Sequence, residues 1–157
     1  MPNANAEKRS CGPCTACCKP WIVPEAGKFD ANWCQYRVAG KGCSLYVDRP
    51  EECRLFECLW KQGQGDVNDR PDKLGVILVG TEHAIGLRTF SVLVMWEMEE
   101  GAFLKPRAQQ IVNYTLGLSN MVVIRMRSIP SGYEHEYLSA PNALTAHEWS
   151  ALRTFFS

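Results

Sequence analysis

Residues 11–18 read Cys11-Gly-Pro-Cys14-Thr-Ala-Cys17-Cys18, a C-x-x-C-x-x-C-C run. Four more cysteines follow at Cys34, Cys43, Cys53 and Cys58, and the remaining 99 residues contain none. This distribution divides the chain. The front part, residues 11–61, scatters Cys, Gly, Pro, Trp and Tyr with neither a helical nor a strand period. A segment so short of apolar runs needs a staple in place of a core. Thiolates are strong ligands for soft and borderline metals, and two of them two residues apart can grip one ion. The expectation is a metal-organised module of loops and turns.

The positions constrain how the ligands divide. Four thiolates close a tetrahedral zinc site, so eight complete two such sites or one larger cluster. Adjacent residues point their side chains apart, so Cys17 and Cys18 are expected to serve different ions or different corners of a cluster. Two-cluster ferredoxins make a related division. Spacing leaves zinc and iron–sulfur both open. C-x-x-C knuckles suit zinc, whereas the run resembles the front of a ferredoxin motif without its C-x-x-x-C-P continuation. A mixed arrangement with one or two free, redox-active thiols also fits.

Charge and composition exclude other classes. The net charge is zero, and residues 1–61 carry nine Lys and Arg against seven Asp and Glu. That is no basic footprint for nucleic acid. Lys8, Arg9, Lys19, Arg49 and Arg54 flank the cysteines and are expected to offset thiolate charge. The opening MPNANAEKRSC lacks the apolar stretch of a secretory signal. No apolar run approaches the ~18 residues that suggest a membrane span. The expected location is the cytoplasm, where thiols stay reduced and clustered cysteines bind metal or do redox work.

Residues 1–10 read as a disordered lead-in. A short helix is expected from Arg49-Pro50, with Pro at its start and Glu51 and Glu52 in its first turn. It would run through Cys53 towards Trp60, leaving Cys58 at or past its end. Residues 62–72 form a polar, Gly- and Pro-bearing link.

Residues 62–157 read as an α+β half, packed as one unit with the module. Leu74–Val79 and residues 85–97 read as strands, joined by a loop at Gly80–Ala84. Pro106 opens a helix with Ala108, Ile111, Val112, Thr115 and Leu116 on one face and Gly117 as its stop. Residues 121–127 and 132–138 are two further strands. Thr145-Ala-His-Glu148 is a capping box. It opens a closing helix with Trp149, Leu152 and Phe156 inward. The order β-β-α-β-β-α implies a small mixed sheet with both helices on one face.

Of the histidines, His83 is placed in a turn, and His147 is an exposed first-turn residue. Strand alternation turns His135 away from Glu134 and Glu136. Trp21, Trp33, Tyr36, Tyr46, Phe56 and Trp60 are expected to pack around the metal loops and exclude water.

The C-x-x-C-x-x-C-C run, Cys34, Gly42-Cys43-Ser-Leu-Tyr46, Arg49-Pro50-x-x-Cys53-Arg54-x-Phe56-x-Cys58 and Trp60 together resemble the YkgJ-type cysteine-cluster family. The likeness covers residues 11–61. That family is described as a zinc- or iron-chelating domain. The resemblance implies a bacterial cytoplasmic metal-binding protein and carries ligand status to Cys11, Cys14, Cys17, Cys18, Cys34, Cys43, Cys53 and Cys58. A similar domain occurs in flagellin lysine methylases, where the implied cofactor is an iron–sulfur cluster. Residues 62–157 show no Gly-rich cofactor loop or nucleotide fingerprint to match such an enzyme. Three functional expectations follow. One is a non-catalytic metal protein with a protein-partner contact. Another is an iron–sulfur or multinuclear-iron redox protein or enzyme. The third is a thiol switch.

Overall fold

A computed structural model describes residues 6–129 and 132–156. The cysteine half is largely irregular. Its regular pieces are two 3-10 turns, Ala16–Cys18 and Pro24–Ala26, the two-residue strands β1 (Arg37–Val38) and β2 (Gly42–Cys43), and helix α1 (Glu51–Leu55). Helix α1 starts one residue later than expected, with Pro50 at the N-cap rather than the first helical position, and it stops at Leu55 short of Trp60 because Phe56 turns to extended backbone. Cys58 therefore lies past its end.

The polar link is more ordered than its composition suggests. Asp66 and Asp69 form a reciprocal capping box around a 3-10 turn, Val67–Asp69, which leads into α2 (Pro71–Leu74). The lead-in expected to be disordered spans residues 1–10, of which 1–5 lie outside the described residues. Arg9 donates to the carbonyls of Trp60, Gln64 and Gly65, and its guanidinium sits 5.4 Å from the Trp60 ring.

The second half is α+β. It comprises β3 (Val76–Ile85), β4 (Arg88–Glu97), α3 (Pro106–Leu116), β5 (Met121–Ile129), β6 (Gly132–Ser139) and α4 (Ala146–Phe156). The four strands make one mixed sheet in the order β3-β4-β5-β6. β3–β4 and β5–β6 are antiparallel, and β4–β5 is parallel through the α3 crossover.

The structure corrects the β3–β4 connection. The expected loop at Gly80–Ala84 is strand, and the turn is the two-residue Gly86-Leu87, with Ile85 paired to Arg88. Gly86 has φ +60°, which a tight hairpin needs and which glycine adopts without strain. His83 accordingly lies in β3 opposite Phe90, not in a turn.

The helices also differ from expectation: they cover opposite faces of the sheet. On one face, Val76, Leu93, Met95 and Val123 pack with Ala108 and Val112 of α3. On the other, Phe90, Val92, Val94, Val122 and Ile124 pack with Leu152 of α4. The cause is visible in β4 and β5, whose apolar runs do not alternate with polar residues. Such strands are buried on both sides, and one layer of helices cannot cover them.

α4 covers only one end of its face. The cysteine half covers the other end, where Ile77, Val79, Trp96 and Met98 meet Ala16, Trp21 and Phe56. Leu59 donates its amide to Leu78 O at the outer edge of β3, and Tyr133 donates its hydroxyl to Pro20 O. The cysteine half thus serves as part of the second layer on the sheet.

Candidate metal centre

Local backbone turns bring the cysteines together. The Cys14 amide donates to Cys11 O, and the Cys18 amide to Thr15 O, which curls the run back on itself. The Cys34 amide donates to Cys18 O, so the middle cysteine returns to the run. The β1–β2 pairing sets Arg37 opposite Cys43. Helix α1 carries Cys53 one turn after Arg49 and Pro50.

Cys17, Cys18, Cys34, Cys43 and Cys53 line one cavity of about 60 Å³, walled by Trp21, Val23, Tyr36 and Phe56 among others. That volume is ample for an ion. The thiol of Cys53 faces those of Cys18, Cys34 and Cys43. Cys11, Cys14 and Cys58 do not line the cavity. Cys58 lies within electrostatic reach of Cys11, and Cys14 within that of Cys58. All eight cysteines are free thiols, and Cys17 is the exposed one.

The thiols respond to these surroundings. Burial pushes Cys14 up to about 11 and also raises Cys58, Cys43 and Cys53. Neighbouring thiols add to the rise in all four. The vicinal pair divides. Cys17 is raised by its hydrogen bond to Cys18, while that bond, with Arg37 and Lys28 nearby, lowers Cys18 to about 7. Stabilising a thiolate with a hydrogen bond and cations is the ordinary route to a reactive or ligating sulfur.

The counter-charges are not mainly the expected ones. Lys8 pairs with Glu57, Arg9 is bound at residues 60–65, and Lys19 donates to Met98 O. Arg54 is exposed. Of the five cations expected, Arg49 is the one directed at the thiols, facing Cys43 and Cys53. Its guanidinium lies 4.1 Å from the Tyr46 ring, and its buried Nε has no hydrogen-bond partner. Sequence reasoning missed Lys28 and Arg37. Arg37 stacks 3.6 Å from the Trp33 ring and donates to Thr15 Oγ1. Lys28 is only 5% exposed. The one available signal was its position between two cysteine segments, in a stretch with few apolar partners.

The aromatic residues behave partly as expected. Trp21, Tyr36 and Phe56 line the cavity, and the Trp21 and Phe56 ring centroids are 4.2 Å apart. Trp33 and Tyr46 are half exposed and covered by arginines. Trp60 is buried away from the cavity, with Nε1 donating to Val67 O.

Does this arrangement fit a metal? The donor set is all sulfur, five of the eight cysteines line one cavity, and Lys28 and Arg49 line it with them. That chemistry suits zinc or iron. Among the described residues, no group of three or more His, Cys, Asp or Glu side chains is arranged so that it could hold an ion as it stands.

The histidines are placed elsewhere. His83 stacks 4.1 Å from Phe155, His135 lies 6.1 Å from Tyr137, and His147 is exposed in the first turn of α4. A larger open cleft of about 450 Å³ at Asp69, Lys73, Lys105 and Arg107 has no cysteine in its lining and holds the Asp69–Arg107 ion pair. Among the described residues, no helix is long and apolar enough to cross a membrane. Comparisons of the chain with protein-family models, curated proteins and solved structures find no match.

Proposed function

We propose that this protein holds zinc or iron through its cysteine thiolates, and that the bound metal organises residues 11–61 on the sheet. The observation that carries the reading is that Cys17, Cys18, Cys34, Cys43 and Cys53 line one cavity together with Lys28 and Arg49. Lys28 Nζ donates to the backbone carbonyls of Lys19 and Asp30, and the Asp30 carboxylate and the thiols of Cys34, Cys18 and Cys53 lie within its electrostatic reach. Metal-bound thiolates would add negative charge beside these cations at neutral pH.

Zinc would supply structural organisation, and an iron–sulfur centre would add electron transfer. The likeness of the cysteine spacing to the YkgJ-type family supports the same reading. Contact with a protein partner belongs to it too, because Phe29, Val47 and Leu55 stand exposed on the cysteine half. A thiol switch is the second reading, favoured by the electrostatic coupling of the adjacent Cys17 and Cys18 thiols, both of which line the cavity. Metal loss on oxidation of that pair would be its signature.

The deciding measurement is elemental analysis with an absorption spectrum, on protein purified without oxygen and without added metal. The expected result is stoichiometric metal: colourless if zinc, brown with broad absorbance if iron–sulfur. Fully folded protein containing no metal would sink the reading.

A further inference from the structure

The segment just before the cysteine run is fastened to the chain that follows Cys58. The Arg9 amide donates to Lys61 O at 2.8 Å. The Arg9 guanidinium donates through Nη1 to Trp60 O at 3.2 Å and Gln64 O at 2.9 Å, and through Nη2 to Gly65 O at 2.8 Å. The same guanidinium lies 5.4 Å from the Trp60 ring. One residue earlier, Lys8 Nζ pairs with Glu57 at 2.9 Å, and Lys61 shares that carboxylate at 3.2 Å.

The receiving turn is shaped for this guest. Gly63 donates its amide to Trp60 O, and Gln64 to Leu59 O, so the chain curls and three carbonyls converge on one side chain. Gly63 takes φ +87°, and a Cβ there would meet Glu7 O at 2.5 Å and Ala6 Cβ at 2.8 Å. The segment therefore lies directly on a glycine, which leaves room for it. The Trp60 ring is itself fixed, buried and with Nε1 donating to Val67 O. A planar fork of donors can serve three carbonyls and stack on a ring at once, whereas a lysine ammonium is a compact point charge. The Lys8–Glu57 pair is exposed on the Lys8 side and adds little beside it.

The fastening sits beside the first and last cysteines. Arg9 stands two residues before Cys11, and its main-chain partner Lys61 stands three residues after Cys58. The contact closes 51 residues of chain, which costs entropy. Contacts outside the cysteines offset that cost. Cys11 itself is half-buried, and beyond it the chain continues into the turn in which Cys11 O accepts the Cys14 amide.

We infer that residues 6–9 form a clasp: Arg9, seated in a socket made by the Trp60, Gln64 and Gly65 carbonyls and the Trp60 ring, closes the front of the cysteine run on the turn after Cys58, and release of the clasp opens Cys11 to solvent. Arg9 is a positioning residue. The clasp is built from groups other than thiols and does not rest on the metal-binding reading.

The test is the rate of Cys11 alkylation by iodoacetamide in the full-length protein as purified, read by mass spectrometry with Cys43 as internal reference. Arg9→Gln should raise the Cys11 rate at least tenfold and leave Cys43 unchanged, and trypsin should cut after Lys8 faster by a similar factor. Arg9→Lys should resemble Arg9→Gln, because charge without the fork does not fill the socket, and Lys8→Ala should resemble the wild type. Where Arg9→Gln yields too little folded protein, Arg9→Lys carries the same comparison. An unchanged Cys11 rate, an equal rise at Cys11 and Cys43, or wild-type rates in Arg9→Lys would overturn the clasp. A wild type that contains no metal yet shows the predicted contrast between Cys11 rates would sink the metal-binding reading and leave the clasp standing.

Discussion

The Trp21 ring lies with its centroid 5.1 Å from that of Trp96, and this contact joins the cysteine half to the central strand of the sheet. Trp96 in turn meets Tyr133 of β6 at 5.1 Å, and Tyr133 reaches back to Pro20 O. The module and the sheet thus share one aromatic layer. Truncating Trp21 removes the ring that touches both Phe56 and Trp96. Large-to-small changes of this kind cost about 3–5 kcal/mol when the site is buried. Trp21 is half-buried, so Trp21→Ala should cost about 3 kcal/mol by urea unfolding. Amides of residues 11–58 should also exchange faster than those of β4 and β5. Unchanged exchange across the module would show that the halves do not depend on this contact.

Metal removal should have a local effect. β4 and β5 are hydrogen-bonded on both sides within the sheet and packed by α3 and α4. The cysteine half has only short elements of its own. Structural metal binding is coupled to folding of the segment that carries the ligands. Chelation under reducing conditions should therefore abolish protection across residues 11–58 and leave the centre of the sheet protected. It should also expose Ile77, Trp96 and Met98, which the module covers, and dye binding to apolar surface should rise. Retained protection in the module after complete metal loss would contradict the coupling.

Much of the sheet half was legible because its signals are local. Pro106 and Gly117 bracket α3, and Thr145 and Glu148 open α4. The α+β class follows from these elements. The placement of α4 was not local. It depends on β4 and β5 needing cover on both faces, a fact present in Val92–Met95 and Val122–Ile124 but easily read as mere strand propensity. The β3–β4 turn was misplaced because Gly80–Ala84 is polar. That polarity reflects an exposed strand stretch, while Gly86 with its positive φ makes the turn. At the cysteine site, spacing marked the candidate ligands, five of which line one cavity. It could not show that Lys28 folds inward. Burial of that side chain depends on the Val23–Lys28 bridge and the 3-10 turn between them.

The Asp69–Arg107 pair should appear in the acid limb of the stability profile. Asp69 is buried and accepts from Arg107 Nε and NH2, both at 2.7 Å, and from the Asp66 amide. The Arg107 guanidinium holds its carboxyl below the usual carboxylate range. A carboxyl depressed on folding contributes its stabilisation in full above its unfolded value, about 3.9. It loses that contribution as the pH falls through the lower folded value. Wild-type stability should therefore drop below about pH 4. Asp69→Asn should flatten that drop and cost about 1–3 kcal/mol at neutral pH, because Arg107 and the Asp66 amide lose a charged acceptor. An unchanged acid limb in Asp69→Asn would assign the drop to other carboxylates.

The α4 cap separates helix stability from the cysteine site. The Thr145 amide donates to Glu148 Oε2 at 2.7 Å, and the Glu148 amide donates to Thr145 Oγ1 at 3.3 Å. Glu148 also receives Arg88 NH1 from the start of β4, which ties the first turn of α4 to the hairpin end of the sheet. Removing the Thr hydroxyl frees one amide of that turn, and such losses cost about 1 kcal/mol. Thr145→Ala should lower the unfolding midpoint accordingly and speed exchange in residues 146–150. The cap sits over the Phe90 end of the sheet, whereas the cysteine half covers the Trp96 end. Metal content and chelator release should therefore match the wild type. A Thr145→Ala protein that lost metal would mean that the two ends of this face are energetically one unit.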